Sequence, residues 1–82
     1  IMFYVYLLQS KKDKTFYIGQ AENLEERVKR HNSGYVFSTK KKIPLDLIRH
    51  EQYTTREEAR WREYLLKHNY LEKKKFIGTI ID

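Results

Sequence analysis

Residues 3–19 read FYVYLLQSKKDKTFYIG. β-Branched and aromatic side chains crowd Phe3 to Gln9, as they do on a pleated, half-buried strand. Ser10 to Lys14 is a polar run in which the chain turns. Thr15 to Gly19 is again short and β-type. Two such runs across a short polar connection pair as an antiparallel hairpin, and the sheet grows from it.

The period changes after Gly19. Asn23 has an N-cap side chain, and Glu26 stands at the spacing of a capping box. Leu24, Val28 and His31 then share one face of a helix. Asn32-Ser33-Gly34 closes that helix, with Gly34 suited to the left-handed residue beyond its end. Residues 35–44 form a basic loop that holds Lys40, Lys41, Lys42 and the single proline, Pro44. Leu45 to Tyr53 reads as a third strand. Thr54 or Thr55 caps a second helix that runs to about Lys67 and buries some of Ala59, Trp61, Leu65 and Leu66, with Trp61 expected in the core. Tyr70 to Ile81 reads as a short third helix over the core, or as an irregular end that Gly78 interrupts. The order β-β-α-β-α plus a tail describes an α+β domain with helices on a small antiparallel sheet.

The chain has 82 residues, enough for one domain, and no internal repeat or low-complexity linker divides it. It has no cysteine, which excludes disulfides and thiolate metal sites. No apolar run approaches the roughly 20 residues of a membrane span, so a soluble, cytoplasmic protein without a membrane partner is expected. Lys and Arg total 17 against 11 Asp and Glu, a net charge of +6. That surplus favours polyanions, whose phosphates release counterions on contact. Seven Tyr, four Phe and one Trp add rings that can stack on bases or fill a core.

Several chemistries drop out. Gly19, Gly34 and Gly78 are too dispersed for a phosphate-binding loop, so no nucleotide cofactor is expected. His31, His50 and His68 show no zinc-type spacing, and no serine sits in a glycine elbow. What remains is a pattern across elements. Tyr6 lies on the first strand, and Tyr17-Ile18-Gly19 ends the second. Arg27 and His31 stand four apart on the first helix and point the same way. Glu63 is the acid between the apolar positions Trp61 and Leu65 of the second.

Tyr4-Val5-Tyr6, then Tyr17-Ile18-Gly19, then Asn23-Leu24-Glu25 with Arg27 and His31, then Arg62-Glu63, resembles the GIY-YIG nuclease family over about residues 3 to 75. The small stand-alone bacterial members are the most similar. The resemblance implies a three-stranded antiparallel sheet flanked by helices in the order β-β-α-β-α-α. It also implies metal-assisted phosphodiester hydrolysis. On that analogy Tyr6, Tyr17, Arg27, His31 and Glu63 are catalytic, with Arg27 holding charge on the phosphate. Glu63 is then the ligand of one Mg²⁺ or Mn²⁺. Tyr6, Tyr17 and His31 are the candidates for general base. Of these only His31 has an ordinary pKa near neutrality. Gly19, Lys40, Lys41, Lys42 and Asn69 are candidate nucleic-acid contacts, and the Lys73–Lys75 run is another. DNA is expected before RNA. The chain departs from the family at Tyr4, where the first motif has glycine, and at Phe76, near the place of a downstream asparagine that Asn69 could supply at shorter spacing. Two functions are therefore carried forward: a structure-selective endonuclease of low sequence preference, and a binding module that kept the fold without turnover. A protein-interaction domain is a third reading of the aromatic content.

Overall fold

The computed structural model describes the backbone of residues 1–81 and the side chains of residues 1–78. Six elements follow in the order β1 (Phe3–Ser10), β2 (Phe16–Ala21), α1 (Leu24–Asn32), β3 (Leu45–Tyr53), α2 (Arg56–His68) and α3 (Tyr70–Ile81). The three strands form one antiparallel sheet in the order β2-β1-β3, with β1 central. The hairpin register sets Tyr6 opposite Gly19 and Leu8 opposite Tyr17. A register shift at Leu7/Leu8 bulges β3 against β1.

Alternation along the central strand loads both faces of the sheet. Val5 and Leu7 point to one side and pack with Ile18, Ala59, Leu66, Phe76 and Ile77, which brings α2 and α3 onto that face. Tyr6 and Leu8 point to the other, with Ala21, Leu45, Leu24 and Val28, which brings α1 onto it. A strand buried on both sides reads as a continuous apolar run, as β1 does. The tail that could have ended irregularly is helical to Ile81, because Phe76 and Ile77 have a core to enter.

Local chemistry sets the boundaries. The Asn23 side chain accepts from the Glu26 N–H and starts α1. Gly34 takes the left-handed conformation at φ +84° after its end. Thr55, not Thr54, is the N-cap of α2, in a complete capping box with Glu58. Arg62 then clamps three elements, donating from Nε and Nη2 to Glu51 of β3 at 2.8 and 3.1 Å and from Nη1 to Glu72 of α3 at 3.0 Å. One expectation fails here. Trp61 is 63 % exposed. On α2 the inward positions belong to Ala59 and Leu66, and Trp61 falls outside the arc they define.

The segment between α1 and β3 is tied down at both ends. Ser10 Oγ, buried at the end of β1, donates to the Lys42 carbonyl at 2.6 Å and accepts from the Lys12 and Asp13 N–H groups. Asn32 imitates a strand partner for Leu45, donating to its carbonyl at 2.9 Å and accepting from its N–H at 2.6 Å. That pair anchors the C-terminal turn of α1 against the sheet. It sets the direction of His31, the preceding residue.

Candidate active site

Tyr6 rises from the centre of β1 and is almost wholly buried. Its phenol crosses Gly19, the residue it faces in register. A Cβ on Gly19 would lie 2.5 Å from Tyr6 Oη and 2.7 Å from Cζ. Gly19 is a candidate nucleic-acid contact by sequence. Here the room it leaves is occupied by Tyr6.

Tyr6 Oη is 2.9 Å from His31 Nε2, and His31 Nδ1 is 2.7 Å from Thr39 Oγ1. All three residues are about 1 % exposed. Both ring nitrogens of His31 are therefore bound to hydroxyls, one as donor and one as acceptor in the neutral ring. Burial depresses the His31 pKa below its ordinary 6.5, and the charges of Arg27 and Arg30 push the same way. Both effects favour the neutral ring. Burial, with the nearby Tyr17 phenol, pushes Tyr6 up to about 12, while Arg27 beside it works in the opposite direction and the Glu63 carboxylate adds to the rise. Tyr17 closes the group, its ring 5.0 Å from that of His31 and 6.4 Å from that of Tyr6.

Glu63 arrives from the other face. Because β2 is an edge strand, side chains of α2 reach past it to the tyrosines. Glu63 Oε1 accepts from Gln20 Nε2 at 2.8 Å, and Oε2 pairs with Lys67 Nζ at 2.9 Å. The same ammonium lies 5.8 Å from the centre of the Tyr17 ring. Among the described residues no three His, Asp, Glu or Cys side chains converge on one point, so an all-protein metal cage is not formed. A hard cation such as Mg²⁺ is suited by a single carboxylate with water and phosphate completing its shell. Glu63, half-buried with Gln20 on one oxygen and Lys67 on the other, fits that requirement.

Next to this cluster a cavity of about 330 Å³ is lined by Gln20, Ala21, Glu22, Asn23, Glu26, Arg27, Arg30 and Arg56. Three guanidinium groups converge there, of which Arg56 is held by Glu22 at 2.6 Å. Arg forks suit phosphate oxygens. A hollow of about 180 Å³ on the other flank joins Tyr17 to Lys67 and Lys73. A hollow of about 730 Å³ is lined by Tyr4, Leu24, Val28, Leu47 and His50 among others and by none of the five catalytic candidates. Its charged lining residues are Glu22, Glu25 and Lys29, of which Lys29 and Glu25 pair with each other.

The five catalytic candidates of the sequence thus meet at the β2 edge. The other expected contacts fare differently. Lys42 is engaged by Asp13 at 2.9 Å and Thr15 at 3.0 Å, and so braces the loop. Lys40 lies over the Phe37 ring, and Lys40, Lys41 and Lys42 line a hollow separate from the arginine cavity. Asn69 spends its side-chain oxygen on the Glu72 N–H at the start of α3, while Phe76 is core. Sequence reasoning missed Thr39, Gln20, Lys67, Arg30 and Arg56. Helical spacing would have found two of them, since Arg30 follows Arg27 by three residues and Lys67 follows Glu63 by four. Nothing in the sequence points to Thr39, whose contact with His31 depends on the loop's path.

Comparison with known proteins agrees with this fold. The sequence profile described as the GIY-YIG catalytic domain matches residues 2–76. A UPF0213 protein of Clostridium perfringens is 40 % identical over 67 residues, covering 80 % of this chain and 71 % of that protein. A UPF0213 protein of Staphylococcus saprophyticus is 36 % identical over 72 residues, 87 % of each chain. The solution NMR structure of a UPF0213 protein from Bacillus halodurans superposes with a TM-score of 0.59 at 31 % identity, covering 98 % of this chain and 85 % of that one.

Proposed function

Because the chain belongs to the GIY-YIG catalytic domain family, we propose that it hydrolyses nucleic acid phosphodiesters as a structure-selective endonuclease, on DNA before RNA, with one Mg²⁺ or Mn²⁺. The observation that carries the reading is the buried chain Tyr6–His31–Thr39, whose phenol feels the charge of Glu63.

In this reading the three candidate bases take different parts. Tyr6, with its pKa near 12, holds almost no phenolate at pH 7. It is bonded instead to a neutral imidazole. With the His31 proton on Nδ1 and directed at Thr39 Oγ1, Nε2 accepts the Tyr6 proton as Tyr6 Oη takes one from the attacking water. His31 is the final acceptor, Thr39 fixes its tautomer and Tyr6 is the relay. Arg27 and Arg30, at the mouth of the arginine cavity, hold the non-bridging oxygens as charge develops on them. Glu63 would hold the cation, and Lys67 and Gln20 keep that carboxylate oriented until it does. When bound there, a divalent cation supplies Lewis-acid stabilisation of the leaving oxygen. The cations of the site meet phosphates, which position a nucleic acid without reading its bases, so sequence preference is low.

One observation favours the second reading, a module that binds without cutting. Phe76, near the place of the downstream asparagine, is a core residue, and the Asn69 side-chain oxygen is engaged at the start of α3. Labelled duplex, single-stranded, flapped and four-way-junction DNA, with matching RNAs, separates the two. Wild type and Glu63→Gln are run with Mg²⁺, with Mn²⁺ and with chelator. Hydrolysis predicts products that need metal and fall by at least about 100-fold in the variant. Equal, salt-sensitive binding by both proteins with no product at all establishes the binding module instead.

A further inference from the structure

We propose that the outer face of α2 is a stacking platform for unpaired bases, which sets a single-stranded segment of the substrate beside Glu63. The platform deepens the nuclease reading, and its base-binding half can be tested without it.

Trp61, Tyr64 and His68 follow one another at helical spacing on the side of α2 away from Ala59 and Leu66. Their rings already form a row. Trp61 and Tyr64 are stacked with centroids 5.7 Å apart and planes 18° apart, and Tyr64 and His68 follow at 4.2 Å and 32°. Trp61 is 63 % exposed and Tyr64 54 %. Both rings stand outside the two core clusters, and the row they form is open to water along α2.

At about 100° per residue, Arg60 and Lys67 fall on one flank of this row, between it and Glu63. Lys67 touches Glu63 directly, and Arg60 has no ion pair among the described residues. Glu57 is the acidic residue at the N-terminal end of the row. The order across the helix is therefore rings, then cations, then the catalytic carboxylate. A single strand has the same order, bases on one side and phosphates on the other, and base–aromatic stacking tolerates any sequence. A blunt duplex keeps its base faces inside and offers only phosphates. A second copy of the chain is disfavoured as occupant, since each copy carries a charge of +6.

Trp61 is the only tryptophan, so its fluorescence reports on the platform itself. In chelator, an oligothymidylate of about ten nucleotides should quench it, while a blunt duplex of equal length should bind without quenching. Anisotropy of the labelled oligomer should show Trp61→Ala and Tyr64→Ala each weakening single-strand binding by about 5- to 150-fold. Trp61→Phe should restore most of the loss, and duplex affinity should stay within about twofold for all three. Glu63→Gln should quench like wild type, which separates base binding from hydrolysis. Three results would overturn the proposal: no quenching, equal losses on duplex and single strand, or a Trp61→Ala protein that binds normally but shifts from dimer to monomer in sedimentation. The last would make the face a contact between copies. Cleavage that persists beside any of these leaves the nuclease reading standing.

Discussion

At the scale of single residues, the site depends on how little room surrounds Tyr6. Gly19→Ala places a Cβ against ring atoms that the protein holds on every side, so the phenol must leave His31. A shift of that size costs on the order of 100-fold in rate and roughly 1–3 kcal/mol in stability. Gly78→Ala is the control, because no atom lies within 4 Å of the new Cβ on α3. It should raise stability by roughly 0.5–1 kcal/mol, and paired melts with cleavage rates distinguish the two glycines. His31 adds a pH dependence with a definite sign. Its folded pKa lies below the unfolded 6.5, so below 6.5 the unfolded chain takes up a proton that the folded chain refuses. Stability is complete above 6.5 and declines as pH falls toward the folded value. His31→Gln should flatten this part of the profile in urea titrations. The acid limb of the cleavage rate should likewise lie below pH 6.5, and a limb above it would exclude His31 as proton acceptor.

Between elements, the decisive joints are polar. Arg62 holds β3 and α3 to α2 from a position about one-fifth exposed, with partners about one-third exposed. Burial raises the Glu51 carboxyl, yet bonds from Arg62 and Tyr53 outweigh it and leave its pKa lowered. Arg62→Ala leaves Glu51 in a half-buried place without its fork, and a loss of roughly 1–3 kcal/mol follows, between exposed and buried pairs. The midpoint in urea should fall, and amide exchange should quicken in α3 before it does in β1. Neighbouring residues on α2 thus divide the labour, Arg62 toward the fold and Glu63 toward the site. The loop between α1 and β3 does the same on the other face. Ser10, Lys42 and Asn32 fix its path, and Thr39 is delivered to His31 as a result.

For the whole molecule, charge and topology act together. A sheet of only three strands leaves β2 as an edge, and at that edge groups from both faces meet. The arginine cavity, Lys67 and Lys73 border the same edge, so the phosphate backbone should track it. Binding should weaken linearly in log salt, and each phosphate contact removed should lower the slope by about 1. Arg30→Gln is expected to do so, while Lys42→Gln, which breaks a structural tie, should change stability and leave the slope alone. Filter binding across salt concentrations checks both. An equal slope for wild type and Arg30→Gln would remove the cavity from the interface.

The sequence by itself determined the hairpin, the order of the first five elements and the cap at Asn23, all of which follow from period, turn chemistry and spacing and are local. The five candidate side chains came from the family resemblance, while the choice of Thr55 over Thr54 and the helical tail were left to the structure. Only the tertiary structure decided that Trp61 faces water, that Gly19 makes room for Tyr6, that Lys42 is a brace and that Thr39 bonds to His31. Each of these depends on which chain segment packs against which, across separations that no local pattern encodes. The titration of the site is shifted there too, since burial pushes Tyr6 up to about 12, and burial with Arg27 and Arg30 pushes His31 below its ordinary value.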